Sequence, residues 1–241
     1  MGHDTNALGQ PVGLRVEGWR PPSPPPRAPI DGRLCRLEPL DPARHAAGLL
    51  AADALDAEGR GWTWLPYGPF ASPQEHRAWL EQQARSTDPL FFAIVPRSSG
   101  VADGVASYLR IDPANGSIEV GHIHYSPRLQ RAPAATECMF LMMKQAFELG
   151  YRRYEWKCNS LNAPSRAAAQ RLGFSYEGLF RQSGVVKGRN RDTAWYSVID
   201  AEWPALRAVY ERWLDPANFD AQGRQRSSLS ALTAPLLAQR G

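Results

Sequence analysis

EVGHIHYSPRLQRAPAATE, residues 119–137, carries the decisive change of pattern in this 241-residue chain. Up to Tyr125 the residues suit a strand. Ser126 and Pro127 then open a short turn, and Pro133 stands where a helix accepts proline, at its first position. Beyond it Met139, Met142, Met143, Ala146 and Leu149 share one helical face, Phe140 and Phe147 add apolar surface elsewhere, and Gly150 supplies the stop. Such a helix belongs in a core. Its N-terminus offers unpaired backbone N–H groups and about half a positive charge, which suits a phosphate or diphosphate. Ala132, Ala134 and Ala135 leave room for phosphates to approach the backbone, although an ordinary strand–turn–helix has the same outline.

Upstream, GVASYLRI and SIEVGHIHY flank the turn signal DPANG, which predicts an antiparallel hairpin. LFFAIVP reads as the strand before them. Ser72, Pro73 and Glu75 form a capping box that starts a helix, and Asp41 with Pro42 starts an earlier one after a strand at residues 34–40. Downstream come a strand in RYEWKC, a short helix in NAPSRAAAQRLGF closed by Gly173, and strands near residues 176–186 and 193–199. This order predicts a mixed α/β (α+β) domain with a mostly antiparallel sheet over residues 34–214. Residues 1–33 are rich in Gly and Pro and read as an extended arm, which Val12, Leu14, Val16 and Trp19 either dock on the body or leave free. Residues 215–241 read as a second irregular arm.

The formal charge of +4 and a pI near 9.1 leave room for an acidic partner but are small for a protein that grips nucleic acid, and no base-stacking aromatics interleave the basic run RQSGVVKGRNRD. Three widely spaced cysteines fit neither a disulfide framework nor a metal pair, so a reducing, cytoplasmic compartment is expected. No stretch is apolar enough for a membrane span. The pair His122 and His124 has no third ligand nearby, and no metal is expected.

SPRLQRAPAATE resembles the coenzyme A diphosphate loop of the GCN5-related N-acetyltransferases: Gln or Arg, two residues, Gly, one residue, then Gly or Ala. Gln130 falls on the first position and Ala135 on the last, with Thr136 and Glu137 continuing as in the RimJ/RimL-like subgroup that modifies ribosomal-protein N-termini. Pro133 departs from the first Gly and has no N–H to give. NAPSRAAAQRLGFSYEG is similar to the family's later helix and strand, with Asn162 on the Asn position and Gly173–Phe174 at the end.

The resemblance implies the acyl-CoA N-acyltransferase fold, acetyl-CoA as cosubstrate, and an acetyl group passed to a primary amine, a small one or a protein N-terminus, by direct attack in a ternary complex. It implies coenzyme contacts from the backbone of Ile123, His124 and Tyr125, from Gln130, Arg131, Ala132, Pro133, Ala134, Ala135 and Thr136, and from Asn162. The subgroup's serine proposed to meet the coenzyme thiol falls on Ser165, while the tyrosine that many members use as acid is replaced by Ala169. Glu119 is the candidate base, and alternation puts it on the face of Ile123 and Tyr125 unless a bulge intervenes, with His122 and His124 opposite as alternatives. Trp62, Trp64, Tyr67 and Phe70 wall a substrate cleft, cover the core, or form a homodimer surface. An acyl-CoA-binding sensor or scaffold without turnover is the alternative reading.

Overall fold

A computed structural model describes residues 2–241. After a short pairing of β1 (Asp4–Thr5) with β2 (Pro11–Val12), the body runs β3 (Ile30–Asp31), β4 (Cys35–Pro39), α1 (Pro42–Asp53), α2 (Pro73–Arg85), β5 (Leu90–Pro96), β6 (Gly104–Asp112) and β7 (Ser117–Tyr125). It continues through α3 (Pro133–Glu148), β8 (Arg153–Asn159), α4 (Ala163–Arg171), β9 (Ser175–Val186), β10 (Arg189–Ile199), α5 (Trp203–Leu214) and α6 (Leu229–Thr233). The eight-stranded sheet has the order β3-β4-β5-β6-β7-β8-β10-β9, antiparallel throughout except at the β7–β8 seam. This is the mixed, mostly antiparallel fold expected from the element order.

The helix starts follow their caps. The Asp41 carboxylate accepts from Ala43 N, and Ser72 Oγ accepts from Glu75 N at 3.2 Å while Glu75 accepts from Ala71 N at 3.0 Å; each such cap is worth about 1 kcal/mol. α1 and α2 bury Leu49, Trp79 and Leu80 against Phe91, Ala93 and Val105 on one face of the sheet. α3 lies on the other face, buried on nearly every side. Its Met139, Met142 and Met143 join the sheet core, and Phe140 and Phe147 meet Trp203 and Tyr210 of α5 with ring centroids 5.0–6.1 Å apart. α5 was not expected from the sequence. The second apolar side of α3 is the signal for it, since those phenylalanines require a cover.

The terminal segments pack on this body. Among the apolar residues of the first arm, Trp19 lies against Gly116 and the Arg152 guanidinium, whereas Val12, Leu14 and Val16 are exposed. Arg27 donates to Ala84 O at 2.7 Å and to Ser86 O, and Ile30–Asp31 adds an edge strand before residue 34. The segment after Leu214 is more ordered than expected: Leu229 and Thr233 are buried, Thr233 Oγ1 donates to Arg171 O at 3.1 Å, and Tyr176 N donates to Gln239 O at 3.0 Å.

Glu137 is the one carboxylate in the middle of α3, and it is buried. It accepts from the N–H groups of Arg33, Leu34 and Cys35 at 3.1, 2.6 and 2.8 Å, tying the start of β4 to the core helix. Charge-assisted bonds of this kind contribute about 1.5–3 kcal/mol each, and their loss strands buried donors. Glu137→Ala is expected to lower stability by at least about 3 kcal/mol in urea unfolding, with Glu137→Gln losing less because it keeps an acceptor.

Candidate active site

The β7–β8 seam holds the site. The two parallel strands pair from Ser117–Arg153 to Val120–Trp156 and then separate, although β7 continues to Tyr125 and β8 to Asn159. The cause is a bulge in β7: Ser107 pairs with Gly121 and Val105 with His124, so β7 carries one residue more than β6, and His122 adopts a positive φ of 51°. The bulge breaks the expected alternation. Ile118, Val120, Ile123 and Tyr125 face the α3 core, and Glu119, His122 and His124 share the opposite face. The placement of the two histidines across the sheet from Glu119 is thereby corrected.

At the end of β7 the chain turns through Ser126, whose Oγ accepts from Leu129 N at 3.1 Å, to Arg131 in the left-handed region (φ 63°). Gln130 Nε2 donates to Tyr125 O at 3.1 Å, so this side chain braces the turn. Pro133 is the first residue of α3, and Ala135 N donates to Ala132 O at 3.1 Å, which leaves the N–H groups of Arg131 and Ala134 without a partner among the described residues. Thr136 Oγ1 accepts from Arg171 at 3.0 Å and is buried. Across the seam, Asn162 caps α4 by accepting from Ser165 N at 3.1 Å, and Ser165 Oγ accepts from Trp156 Nε1 at 3.0 Å, beside the last paired residue of β8. Free N–H groups, small side chains and an open seam together fit a diphosphate carrying an extended arm.

The face of Glu119 is charged. Arg110 Nη1 lies 2.8 Å from both Glu119 oxygens, Lys157 Nζ lies 2.9 Å from Glu119 and 2.6 Å from Glu155, and Arg153 joins Glu155 to Glu177. Lys157 also sits 3.8 Å over the Trp195 ring. A second bulge, at Arg110 with φ 47°, aims that side chain here; Asp88 holds it by accepting from Arg110 N and Ile111 N at 2.9 and 3.1 Å. Burial pushes the Glu119 carboxyl above its ordinary range, while Lys157 and Arg110 pull it down. Arg110 and Lys157 were missed in the sequence; the alternation of Glu155 and Lys157 along β8 is the only trace of this cluster there.

Aromatic and imidazole rings form the adjoining wall. Tyr67 Oη lies 2.8 Å from His122 Nδ1. Burial raises the Tyr67 phenol far above its ordinary value, so it keeps its proton. Desolvation, reinforced by Arg110 and Arg191, lowers the His122 pKa from 6.5 to about 4 against the opposing charge of Asp88. His124 Nε2 bonds Asp53 at 2.9 Å and its ring stacks on Trp62 at 3.8 Å. Trp62, Tyr67 and Phe70 pack with Trp79, so these loop aromatics cover the second core as well as flanking the imidazoles. Lys187, at the tip of the β9–β10 hairpin, donates to Trp62 O at 2.9 Å and to Gly68 O at 2.6 Å, spanning from the hairpin to the aromatic loop.

A sheet parted at one parallel seam, with a helix N-terminus at its mouth, is the architecture of an acyl-CoA-dependent transferase. The model of the acetyltransferase (GNAT) domain matches residues 35–175, and the chain belongs to that family of N-acetyltransferases. A GCN5-related N-acetyltransferase from Brucella melitensis is 49% identical with a TM-score of 0.89, covering 91% of this chain and 100% of that one. A probable acetyltransferase of the GNAT family from Chromobacterium violaceum is 43% identical with a TM-score of 0.76, covering 81% and 98%. An acetyltransferase from Salmonella typhimurium described as modifying the N-terminal serine of ribosomal protein L7/L12 is 21% identical with a TM-score of 0.60, covering 71% and 98%, and shares the fold. No curated protein gave a significant match.

His122 supplies a test of the site's electrostatics. Because the folded chain keeps this ring neutral, the unfolded chain takes up a proton between pH 6.5 and about 4 that the folded chain refuses. Stability is therefore expected to fall as pH drops through that window, with no contribution from this ring above it. NMR titration should place the His122 midpoint near 4, and a midpoint at 6 or above would contradict the buried Tyr67 contact.

Proposed function

We propose that this N-acetyltransferase moves the acetyl group of acetyl-CoA onto an α-amino or similar small primary amine, by direct attack within a ternary complex. The parting of β7 from β8 beside the α3 N-terminus is the observation that carries this reading. Acetyl-CoA supplies the acetyl group as a thioester. The backbone of Ile123, His124 and Tyr125, on the stretch of β7 that has parted from β8, holds the pantetheine arm. The turn from Gln130 to Ala135 holds the diphosphate through the N–H groups of Arg131 and Ala134, with Ala132 and Ala135 small enough to allow close approach. Pro133 contributes φ and no donor. Asn162 sets the first turn of α4, and through it Ser165 is the hydroxyl assigned to the coenzyme sulfur. The amine nitrogen forms its bond to the acetyl carbon as the C–S bond breaks, the sulfur leaves with the electron pair, and the amine's proton passes to solvent or to that thiolate.

A weak base set favours an acceptor that is already partly neutral. Glu119, opposite Glu155 in the seam, is the candidate proton acceptor; burial raises its proton affinity, but taking up a proton there means giving up its bonds to Arg110 and Lys157. An α-amine with a pKa of about 7.7–8.0 meets this condition, whereas a lysine side chain near 10.4 does not. The low-identity likeness to an acetyltransferase described as acting on an N-terminal serine supports the same choice.

Two measurements test this. Rates against an N-terminal peptide and a lysine side-chain analogue should favour the peptide, and a clear lysine preference would overturn the acceptor assignment. Ala134→Glu puts a carboxylate in the first turn of α3, where helix stability is kept or raised, yet it should weaken acetyl-CoA binding at least tenfold in calorimetry. Unchanged affinity would move the diphosphate elsewhere, and coenzyme heat without thiol release against any amine would replace transfer by binding alone.

A further inference from the structure

Among the described residues, Arg191 on the Glu119 face has no carboxylate partner and no carbonyl partner. Its neighbours are matched: Arg110 with Glu119, Lys157 with Glu119 and Glu155, Arg153 with Glu155 and Glu177, and Lys187 with the carbonyls of Trp62 and Gly68. Arg191 is half-buried, and its one side-chain bond runs from Nε to Thr193 Oγ1 at 3.1 Å, which leaves both terminal nitrogens of the guanidinium free among the described residues. The nearest carboxylate in sequence, Asp192, is committed to Gln182 N at 2.7 Å and Asn190 Nδ2 at 3.0 Å. A partly desolvated charge is ordinarily paired, and an unpaired one in a cleft marks a place where a ligand supplies the partner.

Its position relates it to the transfer point. Thr193 pairs with Asn159 at the end of β8, so Arg191 lies just beyond the strand that forms one side of the seam. Its charge is felt at Cys158 on β8 and at Glu119 and His122 on β7, and Arg110 repels it across the same space. Arg110 is itself well exposed and bonds Glu119 through Nη1 alone, so the rest of its guanidinium is available on that side.

We propose, resting on the acetyl-transfer reading above, that Arg191 with Arg110 beside it binds an oxyanion carried by the acceptor, a carboxylate or a phosphate close to the amine. A guanidinium fork matches either group through two parallel N–H···O bonds. The same pair of charges disfavours an ammonium in the cleft, as it disfavours the imidazolium of His122. The acceptor therefore gives up its ammonium proton to solvent on binding, so the neutral amine attacks without a strong protein base. The acceptor class is an anionic amine, of the amino-acid or amino-phosphate kind, and Arg191 is its specificity determinant.

The test uses isosteric pairs with the full chain: amino acids against their amides, N-terminal Asp and Glu dipeptides against Asn and Gln dipeptides, and phosphoethanolamine against ethanolamine. In at least one pair the anionic member is expected to have a KM at least tenfold lower, and the pair that shows it tells carboxylate from phosphate. Arg191→Gln should abolish that difference while leaving the KM for acetyl-CoA unchanged, and Arg191→Lys should restore part of it. Equal KM values within every pair, or an Arg191→Gln effect confined to acetyl-CoA, would overturn the proposal. Calorimetry of the same pairs against the coenzyme-loaded chain reads the oxyanion preference without turnover. Loss of transfer with that preference intact would count against the transfer reading, and absence of the preference would count against Arg191.

Discussion

The separation of β7 from β8 is the constraint on which the site depends. Parallel pairing there is short, from Ser117–Arg153 to Val120–Trp156, and the bulge at His122 turns β7 away before the strands end. A bulge disrupts the ladder locally and increases twist, and here it leaves backbone groups of Ile123 to Tyr125 on the side of the seam. The chain leaves β7 at Tyr125 and turns to Ala132, the N-cap of α3, so the free N–H groups and the parted strands lie at the same end of the sheet. One local distortion thus supplies both the slot and the approach to it.

Electrostatics on the opposite face of that strand are arranged by a second bulge. Arg110, at positive φ and held by Asp88, reaches Glu119, and Lys157 links Glu119 to Glu155. A buried carboxylate with two cations is satisfied in charge, and although burial raises its proton affinity, protonation means giving up those ion pairs. Burial chiefly keeps the His122 imidazole neutral, and the positive charges of Arg110 and then Arg191 reinforce it.

The wall above this face is built from parts distant in sequence. His124 links β7 to Asp53 at the end of α1, Tyr67 bonds His122, and Lys187 crosses from the β9–β10 hairpin to the carbonyls of Trp62 and Gly68. The basic run RQSGVVKGRNRD divides accordingly. Lys187 is a structural tie, Arg181 and Arg189 face solvent, and Arg191 faces inward. On the far side, Glu137 and α5 fix α3 in place, and this helix is among the most buried elements of the chain.

The element order, the helix caps at Asp41 and Ser72, the DPANG reversal and the strand–turn–helix at Gln130 to Ala135 were legible in the sequence, because each depends on residues within a few positions of one another. α5 escaped notice although Phe140 and Phe147 demanded it, since the partner of an apolar face is chosen by the fold. The face occupied by His122 and His124 was misread for a similar reason. A single inserted residue reverses alternation, and its position is set by pairing with β6, which no local pattern records. The pairing of Glu119 with Arg110 and Lys157, the Tyr67–His122 contact and the isolation of Arg191 are likewise decided by tertiary structure: charge and hydrogen bonding act over a few ångströms of space, whatever the distance along the chain.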